Sequence, residues 1–505
     1  MSGKSQMAAK AVLTIAPAFT VGETDPRLFG SFIEQMGRAV YSGIYEPGHP
    51  TADAEGFRGD VQELIHELQV PLIRYPGGNF VSGYLWEDGI GPKEQRPHRA
   101  DFAWRAIEPN EVGTDEFLQY CERMGVQPMM AVNLGLAGLQ DAKNLVEYCN
   151  FAGGTAYSDR RRQNGREKPY GVKLWCLGNE MDGFWQIGHK EAHEYGRLAE
   201  EASKLMKWVD PTIETVLCGS STSDLPTYLS WEQTVLEHAY DWVDYISLHQ
   251  YLDNRAEDTP SYLASPLTTE ARIREVSAVC DYVQAKKHSD KKMMLSFDEW
   301  NVWYHTSDQP VEPWTVAPPI LEERYSMEDA LVAGGMLLAM LRHCDRVKIG
   351  CLAQLVNIIA PIMTVKGGGV WRQTIFYPYR DISVYGRGLV YDIRVDAPTY
   401  TCQQFGEVSA IDAAAVKNEA GEVVIFAINR LEQESLPLET DLTALLGTGA
   451  HSATHETMTA DSPKDTNTLE QPDRVHPRPL AAPVLEGGRL HTELPPLSWN
   501  IIRVK

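Results

Sequence analysis

Eight short apolar runs, spread over about 340 residues, constrain this chain more than any other feature. They are Leu28–Glu34, Pro71–Gly78, Gln127–Gly135, Lys173–Glu180, Thr215–Ser221, Tyr245–Tyr251, Met293–Trp300 and Val347–Asn357. Each is apolar without the strict alternation of a half-exposed strand, which is the pattern of strands buried on both faces. Between them lie stretches whose apolar residues recur at helical spacing. Examples are GDVQELIHEL from Gly59, TDEFLQYCERMG from Thr114 and EAHEYGRLAEEASKLMKW from Glu191. Buried strands joined by helical crossovers form a parallel sheet, and eight of them can close a (β/α)₈ barrel. A doubly wound open sheet is the rival. No GxGxxG or Walker loop follows any run, so nothing supports a nucleotide-binding version.

The pattern changes near residue 388. Helical periodicity gives way to short alternating segments such as GEVVIFAINR and the closing SWNIIRVK. The polar, Pro-rich stretch TADSPKDTNTLEQPDRVHPRPLAAP lies among them. This is the signature of an all-β sandwich. The expected organisation is a barrel over 20–388 and a C-terminal β-sandwich over 389–505. The strand AVLTI, within residues 1–19, should cross over and pair with the sandwich.

The chain of 505 residues carries 46 Lys plus Arg against 69 Asp plus Glu, a formal charge of −23. Such a surface repels nucleic acid and anionic membranes and suits a neutral substrate. No stretch approaches the length of a membrane span. The eight cysteines form no CxxC pair. They read as buried free thiols of a cytoplasmic protein, and Lys10 interrupts the only weak resemblance to a leader peptide.

The strand ends carry the chemistry. In a barrel, side chains at the carboxyl ends of the strands converge on one face. Here those ends supply Glu34, Arg74, Asn179, Glu180, His249, Tyr251, Glu299, Gln354 and, past a Pro-Gly-Gly turn, Asn79. A buried carboxylate costs free energy unless something uses it. A metal site is conceivable from Glu34, Glu180, His249 and Glu299, but no ligand spacing supports one. Two glutamates from opposite sides of a barrel suit glycoside hydrolysis, one as acid and one as nucleophile or base. Arg74 and Tyr251 could hold one of them ionised. Side-chain alternation predicts that Asp298 and Glu299 point apart, leaving Asp298 structural. His249 reads as a hydrogen-bonded structural residue. Trp86, Trp104, Trp175, Trp300 and Trp303 are candidate aromatic walls.

The segments LFGSFIEQMGRAVYSGIYEPGHP, IRYPGGNFVSGYLWEDGIGP, LWCLGNEMDGFWQIGH, SLHQY and FDEWNVWY resemble the intracellular α-L-arabinofuranosidases of glycoside hydrolase family 51. AQLVNIIAPIMT and WRQTIFYP extend the resemblance toward the C-terminus. It implies a (β/α)₈ barrel with a jelly-roll-like C-terminal domain and a retaining mechanism acting on arabinofuranosyl oligosaccharides. Position by position, Glu180 matches the acid/base and Glu299 the nucleophile. Glu34, Arg74, Asn79, Asn179 and Tyr251 match residues that bind the sugar or the nucleophile. Trp104 and Trp303 match aromatic walls, and Gln354 a further substrate contact. Gln35 stands where some members have a histidine. The resemblance also implies a homo-oligomer, a hexamer, with no cofactor. A β-xylosidase or endo-glucanase of the same clan, and a non-catalytic sugar-binding protein on this scaffold, remain alternatives.

Overall fold

The computed structural model describes residues 10–305, 311–446 and 451–505. The eight apolar runs form a closed barrel of parallel strands taken in sequence order. These are Gly30–Phe32, Leu72–Tyr75, Gln127–Val132, Leu174–Leu177, Glu214–Leu217, Tyr245–Leu252, Met294–Val302 and Val347–Leu352, called strands one to eight below. The closing pair sets Cys351 opposite Gly30 and Leu352 opposite Ser31. Only glycine fits this seam. A Cβ on Gly30 would lie 2.7 Å from the Gly350 carbonyl oxygen, and one on Gly350 would lie 2.4 Å from that of Leu28.

The predicted helices appear where the spacing put them, including Gly59–Leu68, Thr114–Met124 and Ala192–Val209. The helix Met327–Arg342, after strand seven, is buried along nearly its whole circumference. Its sequence is apolar all round for that reason. It lies between the barrel and a seven-stranded sheet of the C-terminal domain, touching the strands Ile411–Asn418, Val423–Asn429 and Ser498–Val504.

That sheet is covered on both faces. Val424, Phe426, Ile428, Trp499 and Ile501 join the barrel's core, while Val423, Ile425, Ala427, Ile502 and Val504 join the core shared with a second, five-stranded sheet. The alternation has the strand period of two, with both phases apolar. In the five-stranded sheet, Ala11–Thr14 pairs parallel to Leu436–Asp441 and antiparallel to Arg394–Asp396. Thr20–Glu23, assigned by the sequence to the barrel, pairs instead with Gly388–Tyr391 in the seven-stranded sheet. The physical reason is its half-exposed, non-apolar sequence TVGE, which suits an edge and not a barrel wall.

All eight cysteines are free and buried. No described helix is long and apolar enough to cross a membrane.

Candidate active site

The carboxyl ends of the strands enclose a cavity of about 750 Å³. Eight of the ten sequence-predicted site residues line it: Glu34, Asn79, Trp104, Glu180, Tyr251, Glu299, Trp303 and Gln354. Arg74 and Asn179 lie directly behind Glu299, fully buried.

Strand four ends through two left-handed residues, Gly178 at φ 89° and Glu180 at φ 44°. For Glu180 this conformation costs about 1–2 kcal/mol, the kind of strain that functional sites hold. Its Oε1 lies 3.0 Å from His249 Nδ1, and its Oε2 accepts the Trp185 indole N–H at 2.7 Å. Glu299 sits across the mouth. Arg74 Nη1 donates to its Oε1 at 2.7 Å and the Tyr251 hydroxyl to its Oε2 at 3.0 Å. Arg74 also donates from Nη2 to Asn179 Oδ1 at 2.7 Å, and Asn179 donates to Asn79 at 3.3 Å. Burial beside Glu299 and Glu180 raises the Tyr251 phenol well above its ordinary value, so it remains a donor.

Strand seven carries a register irregularity. Its register against strand six shifts between Ser247 and His249, which face Ser296 and Glu299. Three steps on one strand therefore match two on the other, as a bulge requires. Asp298 and Glu299 still point apart, and only Glu299 lines the cavity, but they meet the same histidine at its two different nitrogens. His249 Nε2 is 3.2 Å from Asp298 Oδ1 and Nδ1 is 3.5 Å from Glu299 Oε2. Asp298 stays below the cavity, 1% exposed.

Glu180, His249 and Glu299 each bring one potential ligand atom within 4.8 Å of the others. A metal needs neutral imidazole. Burial opposes charge on His249, but Glu299, Asp298 and Glu180 outweigh it and push its pKa up to about 10. A metal would have to displace that proton, so the cluster reads first as an imidazolium among carboxyl groups.

Glu34 closes one end of the cavity. Its Oε1 accepts the Phe80 backbone N–H and the Trp104 indole N–H, both at 2.8 Å. Gln354 lies 3.3 Å from its Oε2 and also accepts the Glu34 N–H at 3.1 Å. Burial raises the Glu34 carboxyl to about 8, against the pull of those donors. Gly78 explains the Pro-Gly-Gly turn: its φ is 38°, and a Cβ there would stand 2.2 Å from Glu34 Oε2.

Trp303 packs edge-on to Tyr251 and stacks on His305 at 3.5 Å between ring centroids. Trp86, Trp175 and Trp300, the other candidate walls, are instead buried core side chains. Apolar strand and loop positions cannot be told from cavity walls by sequence. Gln35 points away from the cavity to the Tyr75 hydroxyl and the Val112 carbonyl. Sequence reasoning assigned no role to Trp185, Arg272 or His305, which also line the cavity. Trp185 had one available signal, its place in the loop that leaves Glu180.

Residues 64–264 match the model of the alpha-L-arabinofuranosidase 1 domain, and residues 298–498 that of the alpha-L-arabinofuranosidase C-terminal domain. The chain is 54% identical to an intracellular exo-α-(1→5)-L-arabinofuranosidase 1 of Bacillus subtilis, over 98% of this chain and 99% of that one. The chain belongs to the α-L-arabinofuranosidases of glycoside hydrolase family 51. The chain is also 44% identical to an exo-α-(1→6)-L-arabinofuranosidase of Bifidobacterium longum, over 98% of this chain and 97% of that one. Among solved arabinofuranosidases, a family 51 enzyme from Bifidobacterium longum superposes with a TM-score of 0.94 at 41% identity, over 99% of this chain and 100% of that one.

Proposed function

We propose that this arabinofuranosidase is an exo-acting, retaining enzyme that releases terminal α-L-arabinofuranosyl residues from short oligosaccharides inside the cell. The observation that carries the mechanism is the spacing of the glutamates, with an oxygen of each within 4.8 Å of one on the other. Retaining pairs lie about 5–5.5 Å apart, whereas about 6.5–9.5 Å leaves room for the water of an inverting enzyme. The exo action is supported by the closed end of the cavity, where Glu34 is 2% exposed.

In this reading Glu299 attacks the anomeric carbon while Glu180 protonates the departing oxygen. Glu180 then takes a proton from the water that frees the sugar. Arg74 and Tyr251 orient the two oxygens of the nucleophile. Glu34, Asn79 and Gln354 bind the glycone, and Trp104 and Trp303 wall it. No cofactor is needed, because side chains supply both proton transfer and nucleophile. Close relatives named intracellular exo-α-(1→5)-L-arabinofuranosidases support the substrate class and the compartment. Proton NMR of an aryl α-L-arabinofuranoside during hydrolysis tests the proposal. The α-anomer of arabinose should form first. A first-formed β-anomer, or turnover of an aryl xyloside in preference, would refute it.

A further inference from the structure

The two glutamates divide the cavity. Glu34, Asn79, Trp104 and Gln354 close one end. The other end is walled by residues following strand five, Ser221 to Asp224, and by the helix Pro266–Lys287. Arg272, on that helix, reaches the cavity and is only 3% exposed. Its hydrogen bonding is incomplete. Among the described residues it donates only from Nη2, to the Ser220 carbonyl at 2.7 Å, and its Nε is buried without a partner. It forms no ion pair with any described carboxylate. The Tyr228 ring covers its guanidinium at 5.4 Å, and the Tyr228 hydroxyl is spent on Glu275.

Other buried arginines carry more bonds, although Arg74 and Arg346 also leave Nε without a hydrogen-bond partner. Arg58 holds Glu46, Asp60 and two carbonyls. Arg346 holds Asp281 and two carbonyls. A buried charge without a partner is costly, and a cavity wall is where a ligand can supply one. Burial lowers the Arg272 pKa, which agrees with this incomplete pairing.

We infer that Arg272 is the central binding residue of a leaving-group subsite that takes a neutral sugar ring through its hydroxyls. The inference rests on the arabinofuranosidase reading above. Its position supports the leaving-group side. Trp185, which holds Glu180, and the Ser221–Asp224 segment come from the loops after strands four and five. An acid that protonates the leaving oxygen faces the group that departs. The surrounding charges decide the ligand class. The carboxylates acting on Arg272 are Glu232, Asp182 and Asp224, and Asp253 also lines the cavity. An anionic ligand would meet these. Adjacent hydroxyls can accept from the guanidinium and donate to a carboxylate at once.

The test compares kcat/KM on a neutral arabinofuranosyl trisaccharide and on a nitrophenyl arabinofuranoside, whose leaving group has no sugar hydroxyls. Arg272→Met and Arg272→Lys should both lose more on the trisaccharide than on the nitrophenyl substrate, by a factor of about ten or more, the worth of a charge-assisted hydrogen bond. The lysine variant keeps the charge but not the fork of donors. Asp224→Asn, at the exposed rim, should shift the ratio in the same direction and provides the readout if burial makes the Arg272 variants misfold. Equal losses on both substrates would make Arg272 structural, and an unchanged ratio in all three variants would remove the subsite. If the native enzyme preferred a uronate-bearing leaving group and lost that preference with Arg272, the neutral class would be wrong. If the native enzyme left the nitrophenyl arabinofuranoside intact, the functional reading would fail and the subsite with it. Turnover of that substrate confines any later failure to Arg272.

Discussion

At the residue scale, the two glutamates differ in what holds them. Glu299 is gripped by a guanidinium and a phenol, Glu180 by an indole and an imidazolium. Substitution should separate their roles. Glu180→Ala should lose most of its rate on poor leaving groups, which need protonation, and much less on a dinitrophenyl arabinofuranoside. On that good leaving group, deglycosylation should become limiting and a burst should appear. Azide should fit the vacated space, need no base, and give a product of retained configuration. Glu299→Ala should be inactive on every substrate. Stopped-flow kinetics with added azide checks both variants. The roles would have to be exchanged if only Glu299→Ala showed leaving-group dependence. If neither change slowed turnover beyond about tenfold, the site would lie elsewhere, since acid–base assistance contributes about 10²–10⁴-fold.

At the scale of elements, the bulge in strand seven is the decisive irregularity. There Asp298 and Glu299 meet one histidine, so with Glu180 three carboxyl groups share a single imidazolium. The pKa of His249 rises from its ordinary 6.5 to about 10 on folding. Folding therefore favours the protonated form. The stability this contributes is fully present below about pH 6.5 and disappears as pH rises through about 10. His249→Gln should be less stable than the native protein at neutral pH by about 3–5 kcal/mol, the cost of removing one partner from a buried charge cluster. The gap should narrow steadily toward pH 10. Denaturant titrations across this range measure it. A constant gap would mean that His249 is neutral in the folded protein and acts by packing alone.

At the scale of the whole molecule, the barrel shares its core with one face of the seven-stranded sheet. The helix Met327–Arg342 is buried between them, and Trp499 of the last strand donates to Asp381 of the barrel's final helix at 2.9 Å. The N-terminal strand lies inside the five-stranded sheet, not at its edge, with Leu13 and Ile15 buried. Removing residues 1–15 should cost about 1.5–3 kcal/mol for each of those two side chains. It would also leave Arg394–Asp396 without its partner strand. The truncated protein should melt several degrees lower, in a single calorimetric transition like the intact one. Two resolved transitions in the intact protein would show that the domains unfold independently and that the shared core couples them weakly.

The barrel was legible in the sequence because a strand buried on both faces must be apolar throughout, and eight such runs with helices between them have few ways to pack. The two candidate glutamates were legible for the complementary reason. Glu180 interrupts an apolar run at its end, and a carboxylate stands out against that background. Family resemblance added the roles of Arg74, Tyr251 and Glu34, which local pattern could not distinguish from barrel-top ion pairs. Other features depended on the assembled fold. A bulge has no period of its own, so the meeting of Asp298 and Glu299 at His249 was invisible along the chain. Trp175 and Trp300 read no differently from Trp104, since an indole in the core and one in a cavity wall present the same residue to a sequence. TVGE excluded Thr20–Glu23 from a barrel wall, but which sheet edge it joined depended on the strand left free in three dimensions. Arg272 is the sharpest case: one arginine among many in the sequence, it is set apart only by the partners that the folded protein withholds from it.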